Sequence, residues 1–118
     1  MLIEARADRQ LDATFFALAD PTRRAILARL ATGEASVAEL TEPFGLSQPA
    51  ISGHLKVLEK AGLVLRSRDA QRRPARIELK PMIEAFAWIE RYRERWETAY
   101  RRLDAALAED FLTGDDHA

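Results

Sequence analysis

Residues 36–79 read SVAELTEPFGLSQPAISGHLKVLEKAGLVLRSRDAQRRPARIEL, and this stretch decides the fold. Ser36 is followed three residues later by Glu39, a capping box that opens a helix. Val37 and Leu40 give that helix its inward side, and Pro43 with Gly45 closes it at Phe44-Gly45-Leu46. Ser47 suits the N-cap of a second helix, whose first turn tolerates Pro49. Ile51, Leu55 and Leu58 recur at i, i+4 and i+7 as a buried stripe, and Gly62 stops the helix. Gln48, Ser52 and Lys56 fall on another stripe, with Pro49 and Gly53 beside it, and no large apolar side chain stands on that face. A core helix has no use for such a face, whereas a helix that enters the major groove of DNA requires one. Two short helices about a glycine turn, followed by an arginine-loaded hairpin, imply a helix-turn-helix with a basic wing.

The wing is expected as paired strands over Leu63–Arg68 and Ala75–Leu79, where Val64, Ile77 and Leu79 alternate with polar residues. The connection Asp69-Ala70-Gln71-Arg72-Arg73-Pro74 reads as polar and mobile, and Pro74 limits the ladder. A lone hairpin is marginal in water, so this one is expected to lie against the helices. Upstream, Leu11, Phe15 and Leu18 mark a helix over Asp8–Ala19, widened by Phe16. Asp20 and Pro21 start the next helix, Ile26, Leu27 and Leu30 give its apolar face, and Gly33 ends it.

A last helix is predicted from Pro81 to about Leu107–Phe111, before an acidic tail, Thr113–Ala118, that should fray. Met82, Phe86, Ile89, Tyr92, Trp96, Tyr100, Leu103 and Leu107 lie three or four apart along it. One protomer has little left to cover that stripe, so pairing is expected with the first helix and with a second chain. The expected interface is Leu11, Phe15, Phe86, Ile89, Tyr92, Trp96, Tyr100 and Leu103. The fold class is therefore mainly α with a small β-hairpin wing: four helices, two strands and a fifth helix, as a homodimer. A length of 118 residues fits one domain, 1–118, with the recognition helix at about 47–61, the wing at about 63–79 and dimerisation helices at about 8–19 and 81–110.

The net charge of −1 conceals a strong asymmetry. Residues 54–80 carry eight basic and three acidic side chains, +5, while residues 1–53 carry −2 and residues 81–118 carry −4. A polyanion responds to the field within about a Debye length, roughly 8–10 Å, and so to the local +5. The chain has no cysteine, which excludes disulfides and thiolate metal sites and suits a reducing cytoplasm. No apolar run reaches the roughly 18 residues of a membrane span, and residues 1–10 lack a signal-peptide core. There is no Gly-rich phosphate loop, no Cys nucleophile and no histidine paired by spacing with an orienting acid, so no enzyme is expected.

Three ordered motifs carry a resemblance to a known family. Ala17-Leu18-Ala19-Asp20-Pro21-Thr22-Arg23-Arg24-Ala25-Ile26-Leu27 resembles the opening of ArsR-type transcriptional regulators. Leu46-Ser47-Gln48-Pro49-Ala50-Ile51-Ser52-Gly53-His54-Leu55-Lys56-Val57-Leu58 looks like that family's recognition helix, and Ala61-Gly62-Leu63-Val64 like its passage into the wing. The resemblance covers about residues 10–110. It implies a winged helix-turn-helix homodimer of the ArsR/SmtB type, usually a repressor in bacteria or archaea, with the first and last helices forming the dimer interface. It also places Ser47, Gln48, Pro49, Ser52 and Gly53 where the family meets base edges and phosphates, and His54 at a frequent histidine. The family often carries a basic or polar residue at the position of Gly53.

Many relatives sense metals, but those sites do not carry over. Val37–Glu42 has no sulfur, the last helix has no histidine, and His117 lies in the tail. Glu39 and Glu42 read as a solvated face and a cap, so no metal and no cofactor are expected. The expected partner is double-stranded DNA, met by Ser47, Gln48, Pro49, Ser52, Gly53, His54 and Lys56 with Arg68, Arg72 and Arg73 of the wing. Arg72 and Arg73 are assigned to its tip, at least one of Arg66, Arg68 and Arg76 to a pair within the protein, and Arg23 and Arg24 to the surface or an edge phosphate, while a hydrogen-bonded or partly buried helix side chain stays as open for His54 as a DNA contact. A protein-interaction module, or a metal-responsive repressor with an unrecognised site, stays open. So does an effector, small molecule or protein, near the aromatic residues Phe15, Phe16, Trp88, Tyr92 and Trp96.

Overall fold

The computed structural model describes residues 2–68 and 72–115, with side chains described for 6–68 and 72–111. In chain order the elements are α1 (Leu2–Leu18), α2 (Pro21–Leu30), α3 (Val37–Phe44), α4 (Gln48–Lys60), β1 (Val64–Arg66), β2 (Ala75–Ile77) and α5 (Lys80–Asp115). This is the winged helix-turn-helix arrangement. The chain divides into two compact units, Met1–Ala85 and Phe86–Ala118.

In the first unit the core forms where the apolar periodicities converge. Ile26, Leu30, Leu40, Ile51, Leu55 and Leu58 are fully buried, joined by Leu63 and Val64 at the entry to the wing. Burying such side chains is worth roughly 1.5–3 kcal/mol each, which fixes α2, α3 and α4 around one centre. The capping residues start the helices as expected: the Asp20 carboxylate accepts from the Arg23 amide at 3.0 Å, and the Ser47 hydroxyl from the Ala50 amide at 3.3 Å.

The wing is shorter than its apolar pattern suggested, three residues in each strand, in antiparallel register Val64↔Ile77, Leu65↔Arg76 and Arg66↔Ala75. The Ser67 amide reaches the Pro74 carbonyl at 3.0 Å, and Pro74 has no N–H to carry the ladder on. The hairpin has a support, at the loop end of β2, that periodicity did not reveal. Ala35, just before α3, bridges the other edge of β2 through Ala35 N to Ala75 O at 3.0 Å and Ala75 N to Ala35 O at 2.7 Å. Of the connecting loop, Asp69, Ala70 and Gln71 lie outside the described residues.

Two helices run further than expected. α1 begins at Leu2, because residues 2–7 contain helix formers and neither glycine nor proline. α5 is 36 residues long and continues through Thr113 to Asp115, where fraying was expected. The run RRLDAALAED ahead of it is rich in strong helix formers and has no breaker. Residues 116–118, His117 among them, lie outside the described residues. Within the second unit Phe86, Ile89, Tyr92, Trp96, Tyr100, Leu103, Leu107 and Phe111 are all exposed. Among the described residues no helix is long and apolar enough to cross a membrane.

Candidate nucleic-acid interface

The turn between α3 and α4 aims the second helix. Gly45 caps α3 with φ +61°, the left-handed region that glycine enters at no steric cost, and its amide bonds the Glu42 carbonyl at 3.2 Å. Two residues later Ser47 begins α4. Ile51, Leu55 and Leu58 hold this helix to the core on one side. On the other side Ser47, Gln48, Pro49, Gly53 and Lys56 are exposed, and Ser52 is half-buried. The face that lacked large apolar side chains is thus the open one.

Beside this face lies a cleft of about 430 Å³ between the recognition helix and the wing, lined by Gln48 and Ser52, by Ser36 at the start of α3, and by Arg66, Arg72 and Arg73. Three guanidinium groups thus line the cleft with the polar end of α4. Their roles differ. Arg66 turns to the wing's own backbone, donating from Nε and Nη2 to the Arg73 carbonyl at 3.2 and 3.0 Å. It thereby secures the turn where Arg73 adopts φ +39°, a left-handed conformation that is strained for a residue with a side chain. Arg72, expected at the wing tip as a DNA contact, has its Nη2 2.6 Å from Glu39 Oε1. Glu39 also receives the Ser36 hydroxyl at 3.0 Å. These two hydrogen bonds, that from Arg72 the stronger, hold the Glu39 carboxyl below its ordinary range. Arg68 and Arg73 are exposed.

His54 is drawn toward the protein. Its Nδ1 stands 3.9 Å from Asp20 Oδ2, and the ring is largely covered. The Asp20 carboxyl lies below its usual range, chiefly through the hydrogen bond from the Arg23 backbone amide. Arg23 and Arg24, expected at the surface or an edge phosphate, have partners within the protein. They cap the exposed end of α1: Arg23 donates to the carbonyls of Ala17 at 2.8 Å and Phe16 at 3.0 Å, and Arg24 to that of Leu18 at 2.7 Å. α1 has no capping glycine, and these side chains take the place of one. A residue that sequence reasoning passed over, Gln10, donates to the Ala61 carbonyl at 2.8 Å and so ties α1 to the C-terminal end of α4.

The expected interface residues Leu11 and Phe15 lie on α1, Leu11 half-buried and Phe15 exposed, while Phe86, Ile89, Tyr92, Trp96, Tyr100 and Leu103 stand on the exposed stripe of α5. Among the described residues no three His, Cys, Asp or Glu side chains gather closely enough to hold a metal ion.

Comparison with known proteins agrees with this geometry. The family described as "Bacterial regulatory protein, arsR family" matches residues 20–65. The HTH-type transcriptional regulator Rv2034 of Mycobacterium tuberculosis is 37% identical over 102 residues, covering 86% of this chain and 95% of that protein. The crystal structure of the ArsR family transcriptional regulator RHA00566 is similar with a TM-score of 0.71 and 40% identity, over 76% of this chain and 93% of the other. The solution structure of the homodimeric winged helix-turn-helix DNA-binding domain of Mb0332 from Mycobacterium bovis has a TM-score of 0.62 at 28% identity, over 77% of this chain and 86% of that one. The chain belongs to the ArsR family and is a DNA-binding transcriptional regulator.

Proposed function

We propose that the protein is a homodimeric repressor whose two α4 helices enter successive major grooves about 34 Å apart on an inverted-repeat operator, where the bound dimer excludes polymerase. The observation that carries this reading is the open polar face of α4 beside the arginine-lined cleft. Gln48 suits a bidentate contact to adenine N6 and N7, and Ser52 a base or a phosphate. Ser47, Pro49 and Gly53 lie where the helix N-terminus and its bare backbone come close to the strand, and Lys56, Arg68 and Arg73 contact phosphates. His54, engaged with Asp20, orients α4. Residues 1–118 act as one functional domain, with the dimer built on α1 and the apolar stripe of α5. That stripe is larger than a soluble monomer ordinarily exposes, and the homodimeric state of Mb0332 supports the same assembly.

The repressor works without a transition metal. The sequence contains no cysteine, and α5 contains no histidine. In α3, Glu39 is already taken by Arg72 and Ser36. The residues present therefore do not suit such a site.

The test is DNA binding as a function of salt, with the operator first mapped in the native genome. With about three to five phosphates neutralised per protomer, affinity should fall about 10³- to 10⁵-fold between 50 and 200 mM salt. Gln48→Ala should relax sequence preference by roughly 1–3 kcal/mol at one base pair per half-site and leave the salt slope unchanged. Salt-independent binding, or a Gln48→Ala protein with native sequence preference, overturns the assignment.

A further inference from the structure

Beside the cleft at α4 a wing arginine, Arg72, is paired with a carboxylate of α3, Glu39. Glu39 stands in the first turn of α3, and its position is set locally: the Ser36 hydroxyl donates to Oε1 at 3.0 Å and accepts from the Glu39 amide at 3.2 Å. Ser36 is itself buried, so the acceptor oxygen is held in place from beneath. Arg72, 33 positions later in the chain, is the more exposed partner, with 70% of its side chain accessible against 43% for Glu39. Its guanidinium lines the same cleft as Gln48 and Ser52. One of the wing cations lining this cleft is therefore already matched to an anion from the protein.

We propose that Glu39 mimics a DNA phosphate and withholds the charge of Arg72, holding down the affinity for DNA of any sequence. The inference rests on the groove-reading assignment above. A guanidinium paired with a carboxylate has no net charge to offer a polyanion. A phosphate that displaces Glu39 leaves a bare carboxylate beside the DNA, so the exchange brings little. Each phosphate newly neutralised adds about 0.9 to the salt slope of binding, and a cation that is already paired adds none. The withheld charge acts on operator and bulk DNA alike, so the pair lowers affinity for both and leaves their ratio to the base contacts. An exposed ion pair contributes little to folding, which places its consequence in the charge it presents. Glu39 is ionised at neutral pH in any case, and the hydrogen bond from Arg72 lowers its pKa further.

The experiment measures binding of the full chain to a short random-sequence duplex by fluorescence anisotropy at several KCl concentrations. Glu39→Gln keeps the size of the side chain and its hydrogen bond with Ser36 while removing the charge. It should tighten binding and steepen the slope by about 0.9 per protomer, so a dimer gains roughly twelvefold more at 50 mM than at 200 mM salt. Arg72→Ala should leave the native slope unchanged and, combined with Glu39→Gln, should cancel the steepening. A merely structural role for the pair moves melting temperatures but not this slope. If Glu39→Gln fails to fold, Arg72→Ala alone decides: an unchanged slope supports the proposal, and one flattened by about 0.9 per protomer overturns it. A native slope in a folded Glu39→Gln protein overturns the phosphate mimic and leaves the groove reading standing. Absence of any salt-dependent binding by the native protein overturns both.

Discussion

Gly53 breaks a local rule without an evident reason inside the protein. It lies in the interior of α4, on ordinary right-handed helical backbone, and a Cβ built there meets no heavy atom within 4 Å. Glycine at such a position costs about 1 kcal/mol relative to alanine. Gly53→Ala should therefore stabilise the fold by ~1 kcal/mol. Unfolding entropy of about 2.1 cal/mol/K per residue over 118 residues comes to roughly 0.25 kcal/mol/K, so the melting midpoint should rise by ~4 °C. If the glycine is there to let the backbone approach DNA, the same methyl group should weaken binding at least about tenfold, ~1.4 kcal/mol. Circular dichroism melts at fixed protein concentration and anisotropy titrations against the mapped operator read the two effects from one variant. A protein that is more stable yet binds more weakly cannot owe its lost affinity to unfolding. Equal or tighter binding by the stabilised variant would refute the close approach of α4 at Gly53, and an unchanged midpoint would refute the helix-propensity reasoning.

Other perturbations separate the remaining roles. Trp96→Ala truncates a large aromatic side chain on the exposed stripe of α5, and if it packs in the dimer seam the loss of about 3 kcal/mol should raise the dimer dissociation constant by roughly two orders of magnitude. Sedimentation showing an unaltered dimer would move the seam elsewhere. Gln10→Ala leaves the carbonyl of the buried Ala61 without its 2.8 Å donor and should cost roughly 1–3 kcal/mol in urea unfolding; a variant of native stability would show that water replaces the bond. The Glu39 carboxyl is held below its ordinary value of 4.5, so the stabilisation it carries is present above that pH and is lost as pH falls through the lower folded value. Arg72→Ala should bring its NMR titration midpoint back up toward 4.5, and an unmoved midpoint would mean that Arg72 is not the cause.

What could be read from the sequence, and what could not, divides by the range of the interaction. Ser36, Asp20 and Ser47 announce helix starts because a cap acts on an amide three residues away, and Ile51, Leu55 and Leu58 announce a buried stripe because the helical repeat alone sets it. The open face of α4 follows from the same repeat, so the polar surface proposed to read the groove could be outlined before any tertiary contact was known. The polar contacts that adjust this surface obey no such period. Glu39 finds Arg72 across 33 positions and Gln10 finds Ala61 across 51, and with 18 cations and 19 acidic side chains nothing in the composition selects these partners. Arg23 and Arg24 are intermediate. Basic residues just beyond a helix that has no capping glycine are a legible signal for capping, yet two adjacent arginines in a DNA-binding chain invite an assignment to phosphate. The distinction has a physical basis. Burial of apolar surface is non-directional and follows the helical repeat, whereas a guanidinium takes whichever carboxylate or carbonyl the finished fold brings within reach. The existence of an open polar helix face is thus a property of a short sequence pattern, while the charge that this helix and its wing present is a property of the tertiary structure.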